Sequence, residues 1–520
     1  MKNFIDRNIL FIFVLIAIEI SIAAGTYFIL SGSNLAYIDA NTRLNTARRI
    51  FDNLTPGIAQ IGSVWPPFPQ ILFVPFVLSD YLWRSGIAAW IISGGAYVIS
   101  GYLMFKTLKM ITSSNMISFF GALSYIANIN LIYLQTTAMS EAFFLMCLTG
   151  VMYGFARYIQ TQSIYSLLIA AAFAFLGSLS RYEGYAIIIG SFLLLLIFFI
   201  FHRYPIKKME GILILYGVPA SLGIFLWSIY LWAIFGDPIY WLHYYGIIAA
   251  EAPQQVVEAA KPNYLNAATI YSHSVIYMCG LITVVLGVLG FIYTLISKND
   301  RKYSYLLFLP LFLLLFMIGT LSKNTIIDQP AFNIMNFFNR DIEFAPEYNN
   351  IRYGLTLLPF LALFAFITAK RNKIIMYGII LLSLFQVINY AYLPISLTFQ
   401  LRKNVDYKIF PVSTWMRENY DGGLILVSAA EHDTEMAQFN LPYKTYIHEG
   451  TQIYWKDSLH TSSKYATWIV MLKDHSRSRP AKQIISTWDF NKFKLVYSDE
   501  RNLVYKLTTP PIVDVNKLQE

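Results

Sequence analysis

The sequence has little charge and almost no cysteine. Only 13% of its 520 residues are charged, which is about half of the roughly 25% typical of soluble domains. This shortage excludes an ordinary soluble enzyme, and the 56% share of hydrophobic residues excludes a disordered chain. Cys147 and Cys279 both lie inside apolar runs, so we expect neither a disulfide framework nor a cysteine-ligated metal site. The composition is that of a polytopic membrane protein.

The sequence also lacks internal repeats, low-complexity segments and an evident cleavable signal peptide. The first apolar run, 9–30, is long enough to span a membrane and has no small-residue cleavage site. The formal net charge is +9, but the basic residues lie at the ends of hydrophobic runs, as the positive-inside rule describes. Nucleic acid is therefore not an expected partner, whereas membrane lipids are.

Hydrophobic runs predict about eleven transmembrane helices, since a bilayer core requires about 20 apolar residues per helix. The predicted spans are 9–30, 86–105, 114–133, 138–156, 163–180, 185–201, 210–235, 273–297, 303–320, 353–369 and 374–396. Alternate connectors are rich in lysine and arginine, which places the N-terminus in the cytoplasm. Eleven spans then place the C-terminal end on the extracytoplasmic side. The expected location of the protein is the plasma membrane of a prokaryote.

Charge divides the chain near residue 398. The first 397 residues carry 39 charged side chains and the remaining 123 carry 30, so the second part has the charge density of a soluble domain. We therefore predict a transmembrane domain, 1–397, followed by an extracytoplasmic domain, 398–520. Short apolar strands alternating with amphipathic stretches make the second domain a small α/β fold. Its expected role is acceptor guidance, a lid or structural support.

The connectors predicted to lie outside include three long ones, at 31–85, 236–272 and 321–352. Long loops on one face of a helical bundle usually build a site. Within the first loop, residues 39–52 predict a helix lying in the membrane interface with its apolar side down. The apolar run 70–83 is short for a span and is typical of a re-entrant or interfacial helix. We therefore expect the functional site on this face.

Four charged residues near predicted helix ends are candidates for function, because charges at a membrane are costly. Asp39 is suited to act as a general base, although an N-cap for residues 40–52 explains it more simply. Glu141 begins a predicted helix, where the helix dipole favours an acid. Arg181 and Glu183 occupy a short turn between two spans, and a local ion pair is the structural alternative for both.

The first loop contains three short motifs in order, namely Asp39-Ala40, Ala47-Arg48 and Trp65-Pro66-Pro67. With these motifs it resembles the first outer loop of the GT-C glycosyltransferases, among them the protein O-mannosyltransferases and the lipid A aminoarabinose transferases. Further pieces follow in order, namely Met139-Ser140-Glu141, Gly236-Asp237-Pro238 and Asn350-Ile351-Arg352-Tyr353-Gly354 with Pro359. Two departures stand out: Ala40 replaces a second carboxylate, and Trp65 replaces a lysine before the Pro-Pro pair.

The resemblance implies an inverting glycosyltransferase that uses a polyprenyl-phosphate-linked sugar as donor and a hydroxyl of a glycan, lipid or protein as acceptor. It implies Asp39 as the catalytic base and Arg352, then Arg181, as ligands of the departing phosphate. Membrane-interface snorkelling is the alternative for both arginines. Glu141, Glu183 and Tyr353 belong to the same implied donor site.

His243, together with Tyr244 and Tyr245, is a candidate for lining the sugar pocket, and an aromatic belt is the structural alternative. No metal signature is apparent, and Asp237 and His243 are six residues apart, a spacing that does not place them on one helical face. We therefore expect no cofactor and no metal. A transporter or lipid flippase and a non-catalytic assembly factor remain alternative classes.

Overall fold

The computed structural model describes residues 2–243, 264–323, 351–390, 409–475, 478–509 and 511. The chain divides into two compact units. The helical unit comprises Met1–Asn34, Ser63–Pro69 and Ala89–Asp406, and the sheet unit comprises Leu35–Gly62, Gln70–Ala88 and Tyr407–Glu520. The boundary predicted between residues 397 and 398 lies outside the described residues.

Helices dominate the first two thirds of the chain. The first eleven are α1 (Lys2–Leu30), α2 (Ile38–Arg49), α3 (Phe68–Phe73), α4 (Asp80–Arg84), α5 (Ile87–Thr112), α6 (Asn115–Ile126), α7 (Ile129–Leu134), α8 (Glu141–Thr161), α9 (Ile164–Ser178), α10 (Glu183–Phe201) and α11 (Ile206–Phe235). The next five are α12 (Tyr264–Cys279), α13 (Leu281–Ile296), α14 (Phe308–Lys323), α15 (Leu358–Thr368) and α16 (Lys373–Tyr390). Of these, α2 and α4 belong to the sheet unit.

Among the described residues, eight helices are long and apolar enough to cross a membrane. The bent pair α12 and α13 adds a ninth if it forms one span, and α6 and α9 are shorter apolar helices. Each of the eleven predicted spans overlaps one of these elements. The prediction of a polytopic helical membrane protein is therefore confirmed, while its orientation stays a prediction.

The helical unit contains a break that the hydrophobic pattern did not predict. Helices α12 and α13 meet at an angle of 106°, at Gly280, whose φ of +88° favours glycine. The backbone groups freed by the break are satisfied by amide side chains, as an apolar environment requires. Asn128 and Asn130 donate to the Met278 carbonyl at 2.9 and 3.1 Å. Gln386 donates to the Cys279 carbonyl and accepts from the Thr283 N–H at 2.9 Å.

The sheet unit is built on five strands in the order β2-β1-β3-β5-β4. These are β1 (Leu424–Val427), β2 (Tyr446–Ile447), β3 (Ala466–Leu472), β4 (Phe493–Ser498) and β5 (Asn502–Leu507). Strand β1 pairs in parallel with β2 and β3, whereas β5 pairs antiparallel with β3 and β4. The helices of this region are α17 (Pro411–Asn419), α18 (Ala429–Gln438), α19 (Ile453–Ser458) and α20 (Arg479–Ile485). The predicted α/β fold is confirmed.

Helix α2 forms where a helix was predicted but packs differently. Its apolar residues Leu44 and Ala47 are fully buried, and Asn45 donates to the carboxylate of Asp433 in α18 at 2.9 Å. The prediction that this apolar side faces the membrane interface is wrong, because α18 covers it. The run 70–83 is not one helix either: α3 ends at Phe73, and α4 begins at Asp80 behind the capping hydroxyl of Ser79.

Candidate functional site

Four charged side chains meet within the helical unit. Glu141 begins α8, Glu183 begins α10, Arg181 lies in the turn between α9 and α10, and Arg352 lies in the 3-10 turn Ile351–Leu357 that leads into α15. Their exposed fractions are 2% for Glu141, 5% for Glu183, 8% for Arg181 and 6% for Arg352. We call these four residues the charge cluster.

Arg181 is the centre of the charge cluster. Its Nη1 lies 2.8 Å from Glu141 Oε1 and 3.0 Å from the Ser140 hydroxyl. Its Nη2 and Nε lie 2.7 and 3.0 Å from Glu183 Oε1. Four of its five N–H groups are therefore engaged by protein oxygens. The local ion pair expected for Arg181 and Glu183 is present, and Arg181 also joins α10 to α8 through Glu141.

Arg352 shares the same carboxylate oxygen. Its Nε lies 2.9 Å from Glu141 Oε1, so one oxygen accepts from both arginines. The Tyr353 ring centroid lies 4.8 Å from the guanidinium carbon of Arg181 and 5.5 Å from that of Arg352, within the range of cation–π attraction. Arg352 is thus a buried member of a network and not a residue snorkelling at the surface. The loop before Arg352 also offers acidic residues as ion-pair partners, namely Asp341, Glu343 and Glu347, and these lie outside the described residues.

The charge cluster combines two positive and two negative groups. Burial acts to lower the pKa of Arg181, but Glu183 and Glu141 outweigh burial and hold that pKa above its ordinary value. Arg181 therefore stays charged. Burying such groups costs several kcal/mol per ion, which their mutual attraction offsets only when the geometry is good.

Close backbone contact fixes the segment that bears Arg352 and Tyr353. A Cβ added to Gly354 would lie 2.2 Å from the Ser274 carbonyl oxygen of α12, so only glycine permits this approach. The Tyr271 and Thr356 hydroxyls hydrogen-bond at 2.9 Å between the same two elements. Ser140 also belongs to this site, since its hydroxyl accepts a hydrogen bond from Arg181. In the sequence, only its position beside Glu141 in the Met139-Ser140-Glu141 motif indicated this role.

Asp39 lies in the sheet unit, in the first turn of α2, and is half-buried. Helix α2 begins at Ile38 with Tyr37 as its N-cap, so the N-cap alternative for Asp39 is wrong. An acid in the first turn remains favourable to the helix dipole. The role of Asp39 as a base stays a prediction.

His243 lies beyond α11 and contacts Asp237, with its Nδ1 2.5 Å from Asp237 Oδ2. The six-residue spacing was judged as if both residues lay on one helix, and that assumption was wrong. Helix α11 ends at Phe235, and Gly236 turns the chain with a φ of +75°. Hydrogen bonds from His243 and from the Ile239 N–H hold the pKa of Asp237 below its ordinary value. Tyr244 and Tyr245 lie outside the described residues. A sugar-binding role of His243 stays a prediction.

Comparison with known proteins identifies the fold. No family model and no curated protein matches the sequence, but the fold is that of the GT-C glycosyltransferases. The structure of ArnT from Cupriavidus metallidurans bound to undecaprenyl phosphate has a TM-score of 0.61 at 10% identity, covering 95% of this chain and 97% of that chain. The resemblance noted in the sequence is thereby confirmed for the fold.

A second similarity is weaker. The archaeal oligosaccharyltransferase AglB from Archaeoglobus fulgidus, in complex with an inhibitory peptide and a dolichol-phosphate, has a TM-score of 0.45 at 10% identity. It covers 91% of this chain and 70% of that chain. A TM-score below 0.5 does not establish a common fold.

Proposed function

We propose that this protein is a membrane glycosyltransferase that moves a sugar, with inversion, from a polyprenyl-phosphate donor to a hydroxyl acceptor. The observation on which the proposal rests most is the buried charge cluster in a bundle of GT-C fold. The solved structure with that fold binds undecaprenyl phosphate, a lipid whose single phosphate is the leaving group of the proposed reaction. The sugar and the acceptor, whether glycan, lipid or protein, are not specified by these features.

The arginines of the charge cluster are the proposed ligands of the phosphate. Guanidinium groups pair with phosphate oxygens through two parallel hydrogen bonds. Arg352 is the first candidate and Arg181 the second, in the order that the resemblance in the sequence implies. Arg181 also donates to Ser140, Glu141 and Glu183, so in this proposal it helps to hold Glu141, which contacts Arg352. Metal independence stays part of the proposal, since a monophosphate requires less charge neutralisation than a diphosphate.

Asp39 is the proposed base. It would accept the proton of the acceptor hydroxyl as the oxygen attacks the anomeric carbon, while the bond from that carbon to the phosphate oxygen breaks and the lipid phosphate leaves. The first turn of α2 holds Asp39 on a helix whose far side is anchored to α18 through Asn45 and Asp433. Such anchoring suits a residue that must keep one position.

A transporter or lipid flippase is the second candidate, and the broken helix at Gly280 favours it. Secondary transporters bind substrates at discontinuous helices, which typically occur in corresponding positions of two repeats. The described residues contain one such bent pair, and the sequence shows no repeat. A transporter moves its substrate unchanged, so the release of free polyprenyl phosphate separates the two candidates.

The test is turnover of the purified protein with a panel of polyprenyl-phosphate sugars, comparing wild type with Asp39→Asn. Loss of a general base lowers the rate by about 10²–10⁴-fold. The matched control is Asp80→Asn, since Asp80 also lies in a helical first turn of the sheet unit, where it pairs with Arg48 at 2.7 Å. Wild-type turnover of Asp39→Asn, at normal expression, would remove Asp39 from the mechanism.

A further inference from the structure

The sheet unit contains a polar cavity apart from the charge cluster. Its volume is about 320 Å³, at the lower end of the ~300–1,000 Å³ typical of small-molecule sites. It is lined by parts of α2, α4, α17 and α18, all within the sheet unit. Among the described residues, its polar lining consists of amides and guanidinium groups and includes no carboxylate: Asn41, Asn45, Arg84, Arg417, Gln438 and Asn440.

The two arginines of the cavity are held by backbone carbonyls. Arg84 donates to the carbonyls of Ala437 and Leu441 at 2.6 and 3.1 Å, and its guanidinium carbon lies 4.3 Å from the Trp83 ring centroid. Arg417 donates from Nε to the Gln438 carbonyl at 2.6 Å. Within the described part of the chain, neither arginine has a carboxylate within 4.0 Å. Both guanidinium groups are therefore held by backbone carbonyls, and neither contacts a described carboxylate.

Burial lowers the pKa of Arg84, and Arg48 acts in the same direction, whereas Tyr446, Asp80 and Asp52 act to raise that pKa. Both of these carboxylates are in contact with Arg48, with Asp52 at 2.9 Å and Asp80 at 2.7 Å. A partly desolvated guanidinium group that contacts no carboxylate is stabilised further by a bound anion.

The amides supply groups suited to hydroxyls. The Asn45 oxygen accepts from the Trp83 indole N–H at 3.0 Å, and the Asn45 amide donates to Asp433 at 2.9 Å, so its orientation is fixed. Asn41 donates to the Leu35 carbonyl at 2.8 Å and thus presents its oxygen as an acceptor. Acceptors and donors arranged beside two guanidinium groups match a ligand with several hydroxyls and one anionic group.

We propose that this cavity binds an anionic saccharide, that is, a sugar bearing a carboxylate or a phosphate. Arg84 and Arg417 bind the anionic group, and the amides bind the hydroxyls. The further assignment of this saccharide as the acceptor, or the anionic part of the acceptor, rests on the proposed transferase function. The binding itself does not, because it requires neither donor nor turnover.

Calorimetric titration of the full chain in nanodiscs of neutral phosphatidylcholine tests the proposal. The probes are glucuronate, glucose 6-phosphate and glucose. We expect saturable binding of at least one anionic sugar and at least 10-fold weaker binding of glucose. The two anionic probes distinguish a carboxylate ligand from a phosphate ligand.

Variants then locate the site. Arg417→Gln removes one charge from an exposed side chain that makes a single described hydrogen bond, so folding is preserved. It weakens anion binding at least 10-fold, as does Arg84→Lys. The control Lys494→Gln removes an equal charge from the exposed side of β4 and leaves binding unchanged. The proposal is overturned if no probe binds, if glucose binds as tightly as both anionic sugars, or if both arginine variants bind like wild type. Anion binding without any transfer would contradict the transferase and leave this site standing.

Discussion

At the scale of single residues, the charge cluster contains the two arginines that the resemblance ranks as phosphate ligands, Arg352 first and Arg181 second. Arg181 connects Ser140, Glu141 and Glu183, and Arg352 contacts Glu141 through Nε. Burial and four hydrogen bonds make Arg181 primarily a structural link between helices. Arg352 is the arginine we assign to the donor phosphate.

Arg352→Lys tests this assignment. Lysine keeps the charge but lacks the planar fork, and losing one charge-assisted hydrogen bond costs about 1.5–3 kcal/mol, or about 10–100-fold in affinity. We predict a donor KM raised by about that factor, with a Tm closer to wild type than that of the comparison variant Arg181→Lys, in which the helix link is lost. Steady-state kinetics at varied donor and thermal unfolding in detergent give both quantities. A lowered Tm with an unchanged donor KM in Arg352→Lys would make Arg352 structural only.

Glu435 in α18 is a second residue whose environment has a measurable consequence. It is 1% exposed, and burial raises its pKa from 4.5 to about 7, although Arg501 opposes the change. The folded state therefore holds this proton more tightly than the unfolded chain, so stability is full below pH 4.5 and falls as the pH rises through 7. Burial lowers the pKa of the neighbouring His432 from 6.5 to about 4. Its burial in the neutral form therefore costs stability as the pH falls below 6.5.

Glu435→Gln removes the first of these two effects. We predict that the variant gains stability relative to wild type between pH 5 and pH 8, on the order of 1–3 kcal/mol. The exposed Glu418 provides the control Glu418→Gln. Denaturant unfolding of the sheet unit at several pH values, followed by hydrogen exchange across α18, measures the difference. An identical pH dependence in wild type and Glu435→Gln would show that Glu435 ionises freely.

At the scale of elements, close approach between α12 and the 3-10 turn Ile351–Leu357 determines where Arg352 lies. Gly354→Ala would push its Cβ against the Ser274 carbonyl, and overpacking of this kind costs about 1–3 kcal/mol. We predict a lowered Tm together with weakened donor use. Gly319→Ala in α14 is the matched control, because nothing lies within 4 Å of the added atom. Equal behaviour of the two variants would mean that the turn adjusts without cost.

Elements also show what the sequence could and could not predict. Hydrophobic runs predicted the spans, because a run of about twenty apolar residues is typical of a transmembrane helix. Short apolar segments between amphipathic stretches predicted β1, β3, β4 and β5. The two-residue strand β2 left no pattern to detect. The bend at Gly280 was hidden because α12 and α13 are both apolar, and the polar groups that satisfy it lie far away in sequence, at Asn128 and Gln386.

The candidate site was partly predictable for a similar reason. Glu141, Arg181, Glu183 and Arg352 were conspicuous as charges at the ends of apolar runs. Their mutual pairing was not, because Glu141 and Arg352 are 211 residues apart and no local rule connects them. The cavity of the sheet unit was missed entirely, since its lining comes from the first loop and from the C-terminal region.

At the scale of the whole molecule, the predicted topology places the C-terminal region outside the cell. Cysteine labelling from outside the cell tests this topology and requires an exposed position. Ser462 is fully buried and unsuitable, whereas Glu500 lies exposed between β4 and β5. The native Cys147 and Cys279 are buried and give little background. We predict that Glu500→Cys reacts with a membrane-impermeant maleimide on intact cells. Reaction only after permeabilisation would contradict the predicted topology and would place the C-terminal region in the cytoplasm.

We propose that the charge cluster serves a transferase acting on a lipid monophosphate sugar. Purified wild type in nanodiscs, with Arg352→Ala beside it, is assayed at the same time for release of free polyprenyl phosphate and for appearance of a glycosylated acceptor. We expect equal amounts of the two products from wild type and a strong loss of both in the variant. Movement of the intact donor across the bilayer, with neither product formed for any sugar in the panel, would contradict it and identify a transporter.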